Sequence, residues 1–195
     1  GVTVRNDKTS SKGDVLSRAN SAKEDTRECI TTALVRLSLC KSLSSISITE
    51  LCREAGVSRM AFYRNFESKE DIFAWKIESL VEKYSEVTAP ARAKGSAWFG
   101  VEHLSVCFMF FKTHSAIIDS LHRCGCFQLL TDAISDFIIG TWGNGTPEGD
   151  YVLTAFVGSI CSCYQRWRER EFEESPQQLA EILSHFYTTM PDGGK

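Results

Sequence analysis

Arg59, Tyr63, Arg64 and Lys69 set three cations and a phenol inside one short stretch, "GVSRMAFYRNFESKEDIF" (residues 56–73), which also carries Phe62, Phe66 and Phe73 and opens on Gly56. These types suit a polyanion. A guanidinium such as Arg59 can donate two hydrogen bonds to guanine O6 and N7, a contact worth ~1–3 kcal/mol of discrimination, or it can hold a phosphate. Tyr63 offers a hydroxyl on a rigid ring. Lys69 falls in the first turn of a predicted helix, where free backbone amides also attract anions, and a phosphate partner would offset the unfavourable placing of a lysine at that positive end.

Such groups act only if the backbone aims them. "SITE" (47–50) is a Ser-x-x-Glu capping box and opens a short helix that runs through Ala55, with Leu51 facing inward. Gly56 stops it, because glycine enters the left-handed conformation without steric cost. Ser58 caps a helix over 59–66, on which Phe62 and Phe66 lie four apart and turn into the core, leaving Arg59, Met60, Tyr63 and Arg64 on the other surfaces. "SKED" (68–71) caps a helix from Lys69 to about Val87. Upstream, "SAKE" (21–24) reads as a further box starting a helix over 22–40, with Ile30, Ala33, Leu34 and Leu37 on one face. Residues 1–20 read as a flexible basic arm. Two short helices joined through a glycine turn form a helix-turn-helix, whose second helix enters the major groove.

The segment "SITELCREAGVSRMAFYRNFESKEDIF" resembles the DNA-binding part of the tetracycline-repressor (TetR) family of bacterial transcription regulators, over residues 24 to about 80. The resemblance implies an all-α chain: a three-helix helix-turn-helix domain joined by a fourth helix to an all-helical effector-binding and dimerisation domain. It implies that Ser47 and Ser58 lie near the DNA backbone, that Arg59, Met60 and Ala61 face base edges, that Tyr63 and Lys69 hold phosphates, and that Arg64 and Asn65 form a further contact region. Glu67 departs from the family pattern and opposes a nearby phosphate.

"TAPARAKG" (88–95) breaks the helical pattern, so the reading head with its connecting helix is placed at 21–87, a second domain at 88–190 and a tail at 191–195. In that second domain "GTWGNGTPEGD" (140–150) reads as a loop. In the long helix that follows, Ala155, Gly158, Ser159 and Ser162 recur on one stripe and permit close approach of another helix, either within the chain or from a second copy. "SPQQ" (175–178) caps the last helix, whose apolar face holds Leu179, Ile182, Leu183 and Phe186. The resemblance implies that these two helices build a four-helix dimer interface, and a twofold dimer reads two half-sites of a palindromic operator. It also implies a small-molecule cavity among the middle helices, for which Trp98, Phe99, His103, Phe108, Phe111, Phe127, Trp142, Phe156, Tyr164 and Trp167 supply aromatic lining, or else a packed core.

Charge agrees with a chain that presents one end to DNA: 13 Lys/Arg against 10 Asp/Glu over residues 1–76, and 9 against 15 beyond, within a net charge of -3. The longest apolar run, "VCFMFF" (106–111), falls far short of the roughly 20 residues that span a bilayer. The first twenty residues lack the apolar region of a signal peptide. A cytoplasmic location and mostly reduced thiols among the eight cysteines are therefore expected. No nucleophile elbow, phosphate loop or His-Glu-x-x-His is present, so no catalytic residue, cofactor or metal is assigned. Two alternatives stay open. One is a metal- or thiol-sensing regulator using Cys124 and Cys126 beside His122; Cys161 and Cys163, two apart on a helix, point about 200° from each other. The other is an enzyme or interaction domain with a borrowed helix-turn-helix.

Overall fold

The computed structural model describes residues 10–189; residues 1–9 and 190–195, which include the start of the expected arm and the expected tail, lie outside the described residues. Among the described residues the chain is all-helical, with nine α-helices and one short 3-10 turn. It divides into two units, residues 1–72 and 73–195.

The first unit contains α1 (Ser10–Leu37), the 3-10 turn Leu43–Ser45, α2 (Ile48–Ala55), α3 (Arg59–Asn65) and the start of α4 (Lys69–Ala93). Of the expected α1 face, Ile30, Ala33 and Leu34 are buried and Leu37 is half-buried; Leu51, Phe62 and Phe66 are buried as expected, and Ile46 and Ile72, which the spacing did not single out, join them. Each large side chain so buried contributes about 1.5–3 kcal/mol. The caps are local and complete. Ser47 accepts from the Glu50 amide and Ser58 from the Ala61 amide, each at 3.0 Å. Ser68 and Asp71 close a reciprocal box: Ser68 Oγ accepts from the Asp71 amide at 3.2 Å while Asp71 Oδ2 accepts from the amides of Ser68 and Glu67. Gly56 sits at φ 69°, in the left-handed region.

α1 differs from its expected start. It is helical from Ser10, so Ser21 lies inside it instead of capping it, and the described part of the expected arm forms exposed helical turns. Once a helix is nucleated, each further residue adds one hydrogen bond, and only Gly13 opposes elongation across residues 10–20.

The second unit contains the rest of α4, then α5 (Val101–Thr113), α6 (Ser115–Arg123), α7 (Phe127–Trp142), α8 (Pro147–Glu169) and α9 (Pro176–Thr189). α5 packs against α9 and α7 against α8. α4 runs six residues past its expected end, through Pro90. Proline cannot donate to the carbonyl four residues back. Here Arg92 supplies donors over the same turns, to Ser85 O at 2.8 Å and to Thr88 Oγ1 at 3.1 Å. The loop expected over 140–150 is also shorter, because Thr146 accepts from the Gly149 amide at 3.1 Å and Pro147 takes the first helical position. At α9 the predicted box is present, with Ser175 Oγ accepting from the Gln178 amide and Gln178 Oε1 from the Ser175 amide.

No single helix among the described residues is long and apolar enough to cross a membrane; α5 and α6, which would reach together, are bent by 69°.

Candidate nucleic-acid interface

α3 is anchored from below and free above. Phe62 is fully buried and meets Tyr63 edge-on at 5.2 Å, which steadies the Tyr63 ring while Tyr63 itself stays exposed. Arg59, Met60 and Arg64 are exposed with it, Met60 to 76%. α3 thus turns two cations, a phenol and a thioether outward from a core of rings, which is the division of labour expected of a groove-reading helix. Ser47 and Ser58 are exposed at helix starts, each already holding one backbone amide.

Three expected contact residues are placed less openly. Ala61 is half-buried. Asn65 is half-buried too, and its amide donates back to the Ala61 carbonyl at 2.8 Å, while its Oδ1 is buried with no hydrogen-bond partner among the described residues. Asn65 therefore ends α3 more than it extends from it. Lys69 Nζ donates to Leu43 O and Ile46 O, both at 2.6 Å. Two of its three donors tie the start of α4 to the segment before α2, so one remains for an anion. Sequence reasoning missed this tether because the carbonyls lie 26 and 23 residues away. It also missed the Lys41–Glu50 ion pair at 2.5 Å beside the start of α2, which lowers the Glu50 carboxyl pKa through the Lys41 hydrogen bond.

In the second unit the expected lining aromatics fall into separate groups. Phe108 meets Trp167 at 5.9 Å and Phe111 meets Tyr164 at 5.6 Å, all four buried. Phe156 is buried against the half-buried Trp98, which also meets Phe99 and Tyr187. His103 lies 4.8 Å from Trp142, and Phe127 stacks on His122 at 3.7 Å. Only Phe111 of the ten lines the small apolar cavity, of about 20 Å³, whose walls are otherwise residues such as Leu80, Tyr84, Phe110, Ile118 and Phe137. Trp98 and Trp142 line an open, mostly polar cleft instead. The sequence reading did not single out Tyr84; its spacing of seven and four residues from the buried Ile77 and Leu80 on α4 is the signal that could have found it, although not its partner.

That partner is His103. Its Nδ1 faces the Trp98 carbonyl at 2.8 Å, and a carbonyl only accepts, so Nδ1 carries the proton and Nε2 accepts from the Tyr84 hydroxyl at 2.6 Å. Burial lowers the His103 pKa and raises that of Tyr84 well above its ordinary value. Burial likewise pushes the Cys107 thiol up to about 12 and Cys161 to about 11. These thiols are inert in character. Gly125 adopts φ 69° between Cys124 and Cys126, and the Cys126 thiol donates to Cys124 O at 3.5 Å. Among the described residues, no group of three His, Cys, Asp or Glu side chains is arranged to hold a metal ion.

On α8, Ala155, Gly158 and Ser162 are exposed, and Ser159 is half-buried with its hydroxyl paired to that of Tyr187. On α9, Ile182 and Phe186 are exposed, Leu179 is half-buried and Leu183 is buried.

A capped glycine-turn pair of helices with an outward cationic face defines a helix-turn-helix DNA-binding protein. Residues 30–74 match the model of a family described as bacterial regulatory proteins, tetR family. That amino-terminal segment is similar to the DNA-binding domain of these regulators and supports a DNA-binding role in transcription regulation. No curated protein matches the chain.

Proposed function

We propose that the protein is a homodimeric, cytoplasmic repressor that holds a palindromic operator and is released from it by a small-molecule effector bound in the second unit. The observation that carries the DNA-reading part is the outward set Arg59, Met60, Tyr63 and Arg64 on α3, over a buried Phe62. Arg59 reads a base, Tyr63 holds a phosphate, and Lys69 steadies the frame with one donor left for the backbone. Regulation by an effector follows from linkage: a ligand that favours a conformation unable to span two half-sites lowers DNA affinity in proportion to its preference for that conformation.

Dimerisation is supported by the α8 stripe. Among the described residues nothing within 4 Å would meet a Cβ at Gly158, so none of them uses that close approach. Beside it lie exposed apolar groups, Tyr151 and Val152 on α8 and Ile182 and Phe186 on α9. Sedimentation of Gly158→Leu tests the reading. A monomer with an unchanged melting temperature and weakened DNA binding is expected, since the leucine has open space in the isolated chain and clashes only with a second copy. A variant that sediments and binds DNA as the parent does would remove the stripe from the interface.

A further inference from the structure

α6 and α7 meet in a turn of three residues that carries two thiols, Cys124 and Cys126, on either side of Gly125. Gly125 takes φ 69°, in the left-handed region, and folds the chain back. The Cys126 amide donates to Leu121 O at 2.8 Å and the Gly125 amide to His122 O at 3.2 Å, which ties the turn to the end of α6. Across it the Phe127 ring stacks on His122. The Cys126 sulfur lies back over the turn, 3.5 Å from Cys124 O. Two steps of chain span at most about 7 Å when extended and less in a turn, which suits the roughly 4.4–6.8 Å between Cα atoms that a disulfide accepts. Both cysteines are half-buried, so a small oxidant has access. The two sulfurs differ in surroundings. Cys124 ends α6, at the negative pole of a nine-residue helix, and Cys126 precedes α7, at the positive pole of a sixteen-residue one. A thiolate is therefore favoured at Cys126 and opposed at Cys124. Elsewhere Cys52, Cys107 and Cys161 are buried, and Cys29 and Cys40, exposed in the first unit, stand eleven residues apart.

We propose that Cys124 and Cys126 close into a reversible disulfide when a hydroperoxide reaches this turn, Cys126 attacking and Cys124 resolving. The Cys126 thiolate bonds to one peroxide oxygen, the O–O bond breaks, and the far oxygen leaves as hydroxide or alkoxide and takes up a proton. The Cys124 sulfur then attacks the sulfenic acid at Cys126, an S–S bond forms, and the departing hydroxide gains the Cys124 proton as water. Two thiols are oxidised and one peroxide is reduced. A ring closed across a single residue is tight, and strained or exposed disulfides are the readily reduced ones, so a dithiol reopens it. Closure takes the Cys126 thiol off Cys124 O and rebuilds the turn that starts α7. As a chemical property of the turn this stands alone; as a second signal that releases DNA it rests on the repressor reading above.

The test uses the full chain with Cys29→Ser and Cys40→Ser, which silence the exposed thiols of the first unit, and adds Cys124→Ser or Cys126→Ser to it. After brief treatment with hydrogen peroxide and alkylation, mass spectrometry should find the fragment holding residues 124–126 lighter by two hydrogens and unalkylated at both sulfurs, within a single chain. Dithiothreitol should restore both thiols. Dimedone should trap a sulfenic acid at Cys126 in the Cys124→Ser chain. It should form there roughly threefold or more faster than at Cys124 in the Cys126→Ser chain, because each helix end shifts the charged form by about 1.7- to fivefold and the two ends act oppositely. Pairing with another cysteine or another chain, oxidation of these sulfurs without pairing, or faster oxidation of Cys124 would overturn the proposal. A 124–126 disulfide that leaves operator affinity unchanged would uphold the chemistry and remove the release role. A reduced chain that binds no operator, yet forms this disulfide, would defeat the repressor reading and uphold the proposal.

Discussion

The two units are held by different kinds of information. In the first, nearly every turn is fixed by residues three or four apart: Ser47 with Glu50, Ser58 with Ala61, Ser68 with Asp71, and Gly56 in its left-handed turn. In the second, order comes from rings and polar groups far apart in the chain, such as Phe108 on Trp167, Tyr84 on His103 and Arg168 on Asp119 at 3.1 Å. A locally capped unit can present a fixed surface on very few residues. A unit assembled from long-range packing can change its packing when something binds.

Phe62→Ala sharpens the contrast most. It removes a fully buried ring from the first unit, at a cost of about 3–5 kcal/mol. DNA binding should be lost while most of the helical circular dichroism, carried by the second unit, survives. If the whole chain unfolds in a single step, the two units are one cooperative body.

Lys69→Met separates a tether from a phosphate contact. Two charge-assisted hydrogen bonds are lost, and such bonds contribute roughly 1.5–3 kcal/mol, so the melting temperature should fall. If the third donor also holds a phosphate, the salt slope of DNA binding falls by ~0.9 as well. An unchanged melting temperature with a reduced slope would assign Lys69 to DNA alone.

What was legible in the sequence follows the same division. The caps, the glycine turn, the buried face of α1 and the outward side chains of α3 are short-range features that spacing alone identifies. The start of α1 was misplaced because Ser21 and Glu24 make the same pattern inside a helix as at its end. The end of α4 was misplaced because Arg92 offsets the proline that the pattern treats as a stop. The Lys69 tether and the Tyr84–His103 pair join residues 19 or more apart, and no local pattern announces them.

His103 gives the smallest effect, and it belongs to the second unit. Its pKa is lowered by burial, so below the unfolded value of about 6.5 the unfolded chain binds more protons than the folded one. Stability is therefore fully present above that pH and is lost as pH falls toward the folded value, at up to about 1.4 kcal/mol per pH unit for one proton. His122, also lowered by burial, adds in the same direction. Chemical denaturation from pH 7.5 to 5.5 should show this slope in the parent and a shallower one in His103→Gln. An equal slope in both would assign the pH dependence to other groups.

That α3 reads DNA sequence is tested by sequencing the fragments that the purified protein retains from a random pool at moderate salt. The account predicts enrichment of a pseudo-palindrome whose half-site centres lie about 10–10.5 base pairs, or a multiple of that, apart. It predicts that Arg59→Ala relaxes the preference at one base pair in each half-site by ~1–3 kcal/mol. A retained pool no different from the input, or a parental preference unchanged in Arg59→Ala, would contradict it.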